Sequence, residues 1–372
     1  MSNKNKSENS YKPDWQPENA GKEFAVRVVK GTKSKSNTTK PQIKKRKQLT
    51  IDDYVGGVLK NERTILARTI TLIESNSVQH QKTAQEVLHK LLPHSGKSLR
   101  IGITGVPGAG KSTLIESLGL YLLKQGYKVA VLAVDPSSSL TGGSILGDKT
   151  RMEKLSREAN CFIRPSPSGG TLGGVTRKSR ETMLVCEAAG YDIILVETVG
   201  VGQSEITVRS MVDFFLLVMI SGAGDELQGI KKGVIEIADA LVVNKADGGN
   251  EQKAKRAAAE YSNALHYLMP ATEGWKTDAF VCSAVTGYGI PEIWNVIKNF
   301  EKHIKKNFIF EKRRKQQTIQ WIFSMIEEKL KDEFYNNQQI KNELPKLQKL
   351  VDSEKILATT AAEKLLKIYF SK

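Results

Sequence analysis

The stretch LRIGITGVPGAGKST, residues 99–113, decides the fold. Its opening LRIGIT has the β-rich, apolar texture of a buried strand. Gly105, Val106, Pro107, Gly108, Ala109, Gly110, Lys111 and Ser112 then satisfy GxxxxGKS, and a helical pattern follows from Ser112 and Thr113 to Lys124. Glycines at these positions let backbone N–H groups turn inward around phosphate oxygens, while the helix adds its positive amino-terminal end. Lys111 is expected to bridge the terminal phosphates, and the Ser112 hydroxyl to reach magnesium. Such a match arises by chance in about one chain in a hundred of this length, given Gly use of about 7%. Its place between a strand and a helix makes chance rarer still. A bound nucleoside triphosphate is the first expectation.

Working outward, short β-rich runs recur at Leu99–Thr104, Val129–Val134, Ile193–Val196, Phe215–Ile220, Ala240–Val243 and Ala279–Cys282, with helical lengths between them. That alternation predicts an α/β fold, a largely parallel sheet flanked by helices. Helical extensions stand on both sides. Before the sheet, Asp52 or Asp53 is placed to cap a helix carrying Val55, Val58 and Leu59; a second runs through Ile65, Leu66, Ile70 and Ile73, and a third spans about Thr83 to Leu92. Beyond Pro291 the pattern is helical again, and Ile319, Ile322, Phe323, Ile326, Leu330 and Phe334 make one apolar stripe. The spacing alone leaves two readings of it open, packing on the main domain or a dimerisation arm.

The chain has 372 residues, more than the roughly 250–300 at which one core usually stops growing, so a principal domain with helical appendages is expected. Its net charge of +16 suggests a polyanion partner until it is located. Residues 1–48 hold 13 Lys/Arg against 4 Asp/Glu, and residues 301–372 hold 16 against 10. The residues between carry 27 against 26, so the centre is near neutral and no nucleic-acid groove is expected there. The first 48 residues are rich in Ser, Asn, Lys and Thr and read as a disordered basic tail, with a short strand possible at Phe24–Val29. Asp14, Glu18 and Glu23 run against a mitochondrial transit peptide, and no apolar run is long enough to span a membrane. A cytoplasmic protein is expected. Cys161, Cys186 and Cys282 are scattered, which suggests neither a disulfide framework nor a zinc site.

Two further sequences refine the nucleotide. Asn244, Lys245, Ala246 and Asp247 form NKxD at the end of a later strand. A carboxylate at Asp247 accepts from both the ring N–H and the exocyclic amine of guanine, a donor pair that adenine lacks, so guanine is favoured. Ser283, Ala284 and Val285 follow the next strand, where their backbone can meet the base edge. Asp135 ends VAVLAVD and Glu197 ends DIILVE, and carboxylates at strand ends are placed to hold magnesium's water shell. The Gly200 N–H is placed to bind the terminal phosphate, whose loss would release the loop through Glu205. Where the Ras type of GTPase has Gln after this glycine, Val201 stands here and Gln203 lies two further on. Slow unassisted turnover is expected.

With these residues in view, the chain resembles the methylmalonyl-CoA mutase-associated GTPases of the MeaB/ArgK type, in the SIMIBI class of P-loop GTPases. The resemblance runs from about Asp52 to the C-terminal helices. It rests on GVPGAGKST, VDPSSSLTGGSILGDKTRM (134–152), SGGTLGGV (168–175), ETVGVGQSE (197–205), SGAGDELQGIKKG (221–233) and NKAD. It implies a GTP-hydrolysing chaperone that gates cofactor loading of an adenosylcobalamin-dependent acyl-CoA mutase and protects it, working as a homodimer joined through C-terminal helices. Carried over by position, Lys111 and Ser112 serve phosphate and magnesium, Asp135, Asp148 and Glu197 surround metal and attacking water, and Asn244 with Asp247 reads guanine. Asp225–Lys232 resembles the family's additional switch. The implied organisation is a tail at 1–48, a helical segment at 49–96, a GTP-binding domain at 97–290 and a dimerisation region at 291–372.

Competing readings are a kinase or transport ATPase, a metal-insertion GTPase, and a scaffold without turnover. NKAD argues against ATP. His80, His89, His94, His266 and His303 form no HxH cluster, which argues against metal insertion, and the intact Lys111 and Ser112 argue against a scaffold.

Overall fold

In the computed structural model, residues 49–134, 152–165, 172–198, 204–222 and 232–371 are described. The expectations for the basic tail, the strand at Phe24–Val29, Asp135, Asp148, Gly200 and Asp225–Lys231 lie outside them. Three helices come first: α1 (Ile51–Leu59), α2 (Arg63–Glu74) and α3 (Val78–Leu91). Thr50, rather than Asp52 or Asp53, caps α1; its hydroxyl accepts from the Asp53 N–H while the Asp53 carboxylate accepts from the Thr50 N–H. This reciprocal pair satisfies two amino-terminal donors at once, which a lone aspartate cap does not. The third helix also starts earlier than its apolar spacing suggested, because its exposed first turn, from Val78, carries no buried residue.

Seven strands follow: β1 (Leu99–Gly105), β2 (Val129–Val134), β3 (Cys161–Arg164), β4 (Ile193–Thr198), β5 (Phe214–Ile220), β6 (Ala240–Asn244) and β7 (Ala279–Val281). All their pairings are parallel, in the order β3-β2-β4-β1-β5-β6-β7. Six of them were expected; β3 was not. It is a four-residue edge strand, too short to show a period, paired with β2 through Val129 opposite Cys161. Continuous apolar runs such as FFLLVMI suit this sheet because both faces are covered.

One face is covered by α4 (Lys111–Lys124) and α10 (Ile290–Lys306). Ile290, Ile293, Trp294, Ile297, Phe300 and Ile304 recur at helical spacing on α10 and are all buried there against Ile103, Leu118 and Phe214. Each such side chain contributes roughly 1.5–3 kcal/mol by leaving water. The other face takes α6 (Leu172–Ala188) and α7 (Ser204–Arg209), with α1 to α3 packed outside α6, in a layer that includes Val58, Leu66, Val87, Met183, Val208 and Phe215. Short helices α5 (Glu153–Ser156) and α8 (Lys232–Glu236), and the longer α9 (Glu251–His266), complete the sheet's connections.

The chain ends in α11 (Ile309–Asn336), α12 (Gln338–Asp352) and α13 (Ala358–Phe370). Arg314, near the root of α11, forks onto Asp213 through Nε and Nη2, both at 2.6 Å, and reaches Glu187 at 3.3 Å and the Ser98 carbonyl at 2.9 Å. Further out, the predicted stripe divides. Phe334 packs with Ile340, Leu347 and Leu365 of α12 and α13, whereas Ile319, Ile322, Phe323, Ile326 and Leu330 stand 46–60% exposed. Those five belong to none of the buried clusters among the described residues. Residues Leu49–Lys372 nevertheless form one compact unit.

Candidate nucleotide-binding site

The strand order puts β1 at the middle of the sheet, between β4 and β5. From β1 the chain crosses to β2 on one side of it, and from β4 it steps over to β5 on the other. Such a reversal opens a crevice at the carboxyl ends of the strands, where ligands of α/β sheets bind. The loop Gly105–Gly110 emerges there.

Local sequence shapes that loop. Gly105 has φ 150° and runs so close to β5 that a Cβ would meet the Val218 carbonyl oxygen at 2.1 Å. Gly110 has φ 84° and leaves room for Asn244 Nδ2, which a Cβ would meet at 2.8 Å. Having no side chain, Gly110 caps none of the first N–H groups of α4, and these stay available to an anion. Pro107 and Gly108 are exposed, Val106 is half-buried and Ala109 is fully buried. The Lys111 ammonium is folded back among the loop carbonyls, donating to Gly105 at 3.0 Å and Val106 at 3.3 Å. Thr113 is exposed on the first turn.

Glu197, at the end of β4, is 9% exposed, and its Oε1 accepts from the Ser112 hydroxyl at 2.8 Å. This joins the helix after the loop to the strand beside it. The donor set, a hydroxyl and a carboxylate, suits a hard cation that retains several waters. Among the described residues no group of three or more His, Cys, Asp or Glu could hold a metal. His303 instead contacts the Glu273 carbonyl, and His80 the Ser75 hydroxyl.

On the far side, Asn244 ends β6 and is 1% exposed. Its Nδ2 donates to the Ala109 carbonyl at 2.8 Å, and its Oδ1 accepts from the Ala284 N–H at 3.0 Å and the Cys282 thiol at 3.4 Å. One side chain thus ties the phosphate loop to the loop after β7. Burial, and then the Asp247 carboxylate, push the Cys282 thiol up to about 12, so it remains the protonated donor this contact needs. The hydroxyl of fully buried Ser283 donates to Asp247 Oδ2. Lys245 is exposed with φ 63°, and Val285 is 79% exposed beside this pair. Lys111, Ser112, Glu197, Asn244, Asp247 and Ser283–Val285, read far apart in the sequence, therefore share the carboxyl edge of one sheet. Sequence reasoning missed the contact of Cys282 with Asn244 and that of Thr198 with Thr104, whose buried hydroxyls meet at 2.7 Å beneath the loop. Neither carries a motif.

A phosphate loop rising from the central strand, pinned by the asparagine of an NKAD sequence two strands away, defines a P-loop GTPase, an enzyme that hydrolyses GTP to GDP and phosphate. The family model described as Methylmalonyl Co-A mutase-associated GTPase MeaB matches residues 66–339, and the chain belongs to that family. A Caulobacter vibrioides protein called a putative GTPase is 51% identical over 318 residues, covering 86% of this chain and 97% of its own. GTPase ArgK of Escherichia coli is 46% identical, with 78% and 88% covered, and the mouse methylmalonic aciduria type A homolog, mitochondrial, is 43% identical, with 88% and 81% covered. A crystal structure described as a LAO/AO transport system kinase superposes with TM-score 0.72 at 36% identity, covering 87% of this chain and 99% of that one.

Proposed function

We propose that this GTPase is a chaperone of an adenosylcobalamin-dependent acyl-CoA mutase, gating cofactor loading and protecting the mutase. The observation that carries the reading is the family match, whose range of residues 66–339 takes in the sheet, the phosphate loop and the base-side loops. The family's name, which mentions methylmalonyl-CoA mutase, and the mouse relative's name, which mentions methylmalonic aciduria, support the same partner.

In this reading Gly105–Thr113 cradle the phosphates, Lys111 swings from the loop carbonyls onto the terminal phosphate, and Asn244, Lys245, Asp247 and Ser283–Val285 hold guanine. Ser112 and Glu197, with Asp135 and Asp148, hold magnesium and its waters; when bound, the ion neutralises charge on the phosphates. Gly200 senses the terminal phosphate. The body is 97–290, supported by 49–96, and 291–372 joins two copies into a homodimer through the exposed face of α11. The setting in this reading is cytoplasmic; separately, no helix among the described residues is long and apolar enough to cross a membrane.

The test is a pull-down with the full chain as bait, followed by GTP hydrolysis measured with and without the recovered protein. A mutase that binds in a nucleotide-dependent way and alters turnover is expected; a chain that captures no mutase and hydrolyses GTP identically in every setting overturns the reading. A transport-system kinase, the description carried by the superposing crystal structure, is the second reading. It requires transfer of the terminal phosphate to an acceptor other than water, which labelled phosphate would reveal.

A further inference from the structure

Helix α7 carries a carboxylate that the site described above does not use. Glu205, on its first turn, is 4% exposed, and among the described residues nothing donates a hydrogen bond to its Oε2, which is closed off from solvent. Three other buried carboxylates of the body are handled differently. Glu187 accepts from Arg100, Arg314 and the Gly96 N–H; Asp213 from Arg314 and the Arg100 N–H; Asp239 from Arg209, Thr272 and the Phe215 N–H. A desolvated carboxylate oxygen without a donor lowers stability, and a native chain retains such a group where function demands it.

The place of Glu205 suggests which function. One turn further along α7, Val208 Cγ1 lies 3.0 Å from where a Cβ on Gly102 of β1 would sit. The helix then reaches Arg209, which binds Asp239 beside the amino end of β6. Its direction therefore sets Glu205 toward the carboxyl end of β1, where Gly105 opens the phosphate loop. On the same face of the sheet, at that same end, the Thr198 hydroxyl donates to Thr104 Oγ1. Glu205, Thr104 and Thr198 bring polar groups to the phosphate-loop end of a layer otherwise filled by Val196, Val208, Val212 and Phe215.

We propose that Glu205 is a further positioning residue of the phosphate site, accepting a hydrogen bond from a water that enters with the magnesium nucleotide; this rests on the GTPase reading above. Magnesium keeps several of its waters, and the ion's charge makes them strong donors. A carboxylate already stripped of solvent gains most from such a donor. Glu205 thereby favours the loaded chain over the unloaded one.

Full-length wild type, Glu205→Gln and Glu205→Asp are compared by calorimetric titration with GDP and with a non-hydrolysable GTP analogue, in magnesium and in EDTA, and by thermal unfolding without nucleotide. Glu205→Gln is expected to unfold at a higher temperature than wild type and to bind the analogue about tenfold more weakly in magnesium, with unchanged affinity in EDTA. Glu205→Asp should recover part of the magnesium-dependent affinity. A lower melting temperature for Glu205→Gln, or a magnesium dependence equal to that of wild type, overturns the proposal alone. Absence of guanine-nucleotide binding by the wild-type chain overturns the GTPase site together with it.

Discussion

Ser112 donates its hydroxyl to Glu197 Oε1 across 2.8 Å, linking the first turn of α4 to the end of β4. Two oxygens from separate elements are thus held together in advance of any cation. Ser112→Ala is expected to abolish most of the magnesium dependence of nucleotide affinity, a loss of about tenfold or more, while affinity in EDTA stays the same. Calorimetry in the two media reads this directly.

Lys111 rests against the carbonyls of Gly105 and Val106, a position from which its ammonium can move to phosphate without crossing solvent. Lys111→Ala should weaken GTP binding by roughly a hundredfold, the scale of a lost charged hydrogen-bonding group, with an unchanged circular dichroism spectrum. Retained GTP affinity in a folded variant would contradict its assignment.

Asp247 is oriented by Ser283, and both follow strands on the base side. Asp247→Asn is expected to cut discrimination between GTP and ATP by about ten- to a hundredfold, because one carboxylate acceptor becomes a donor. Ser283→Ala should cut it less. Competition binding with both nucleotides measures the two effects.

Arg314 neutralises Asp213 and Glu187 where the C-terminal helices join the body. Its removal leaves buried Asp213 without its side-chain cation and Glu187 with Arg100 alone, so Arg314→Ala should cost about 3–5 kcal/mol of stability, read by urea unfolding. A shift within about 0.5 kcal/mol, the range of ordinary surface substitutions, would show that the ion pair does not anchor α11.

Burial pushes the Cys161 and Cys282 thiols up to about 12 and raises that of Cys186 as well. Unfolding returns each to about 8.5, so above that pH the unfolded chain sheds the protons first. Stability conferred by the neutral thiols is complete below about pH 8.5 and falls by about 1.4 kcal/mol per pH unit per thiol toward pH 12. Chemical unfolding across this range should show the decline. At pH 8 a thiol-specific reagent should label none of the three until denaturant is added.

The parallel sheet was legible because six strands are continuous apolar runs and the phosphate loop marks the carboxyl end of the central one. The order of the strands was not, since pairing is a tertiary choice. The motifs supplied Lys111, Ser112, Glu197, Asn244 and Asp247 by type and spacing, but not the Asn244 bridge to Ala109, which depends on β6 lying two strands from β1. Strand β3 escaped because CFIR breaks off at Arg164 and offers no apolar run of the kind that marked the other six. Thr50 was overlooked as a cap because two aspartates stood closer to the apolar run. Glu205 lay in plain view within ETVGVGQSE, yet that its Oε2 meets no donor among the described residues belongs to three dimensions alone.

The grip of Arg313, Arg314 and Gln317 on the Val212–Asp213 turn has a practical corollary. Anyone trimming the carboxy-terminal hairpin to obtain a minimal catalytic fragment must cut outside Gln317, in the solvent-washed portion of the rod. A cut before Arg313 removes the cation that pairs with Asp213 and one of the two that pair with Glu187, together with the helix that covers them, and the fragment is expected to arrive as insoluble material instead of a smaller enzyme.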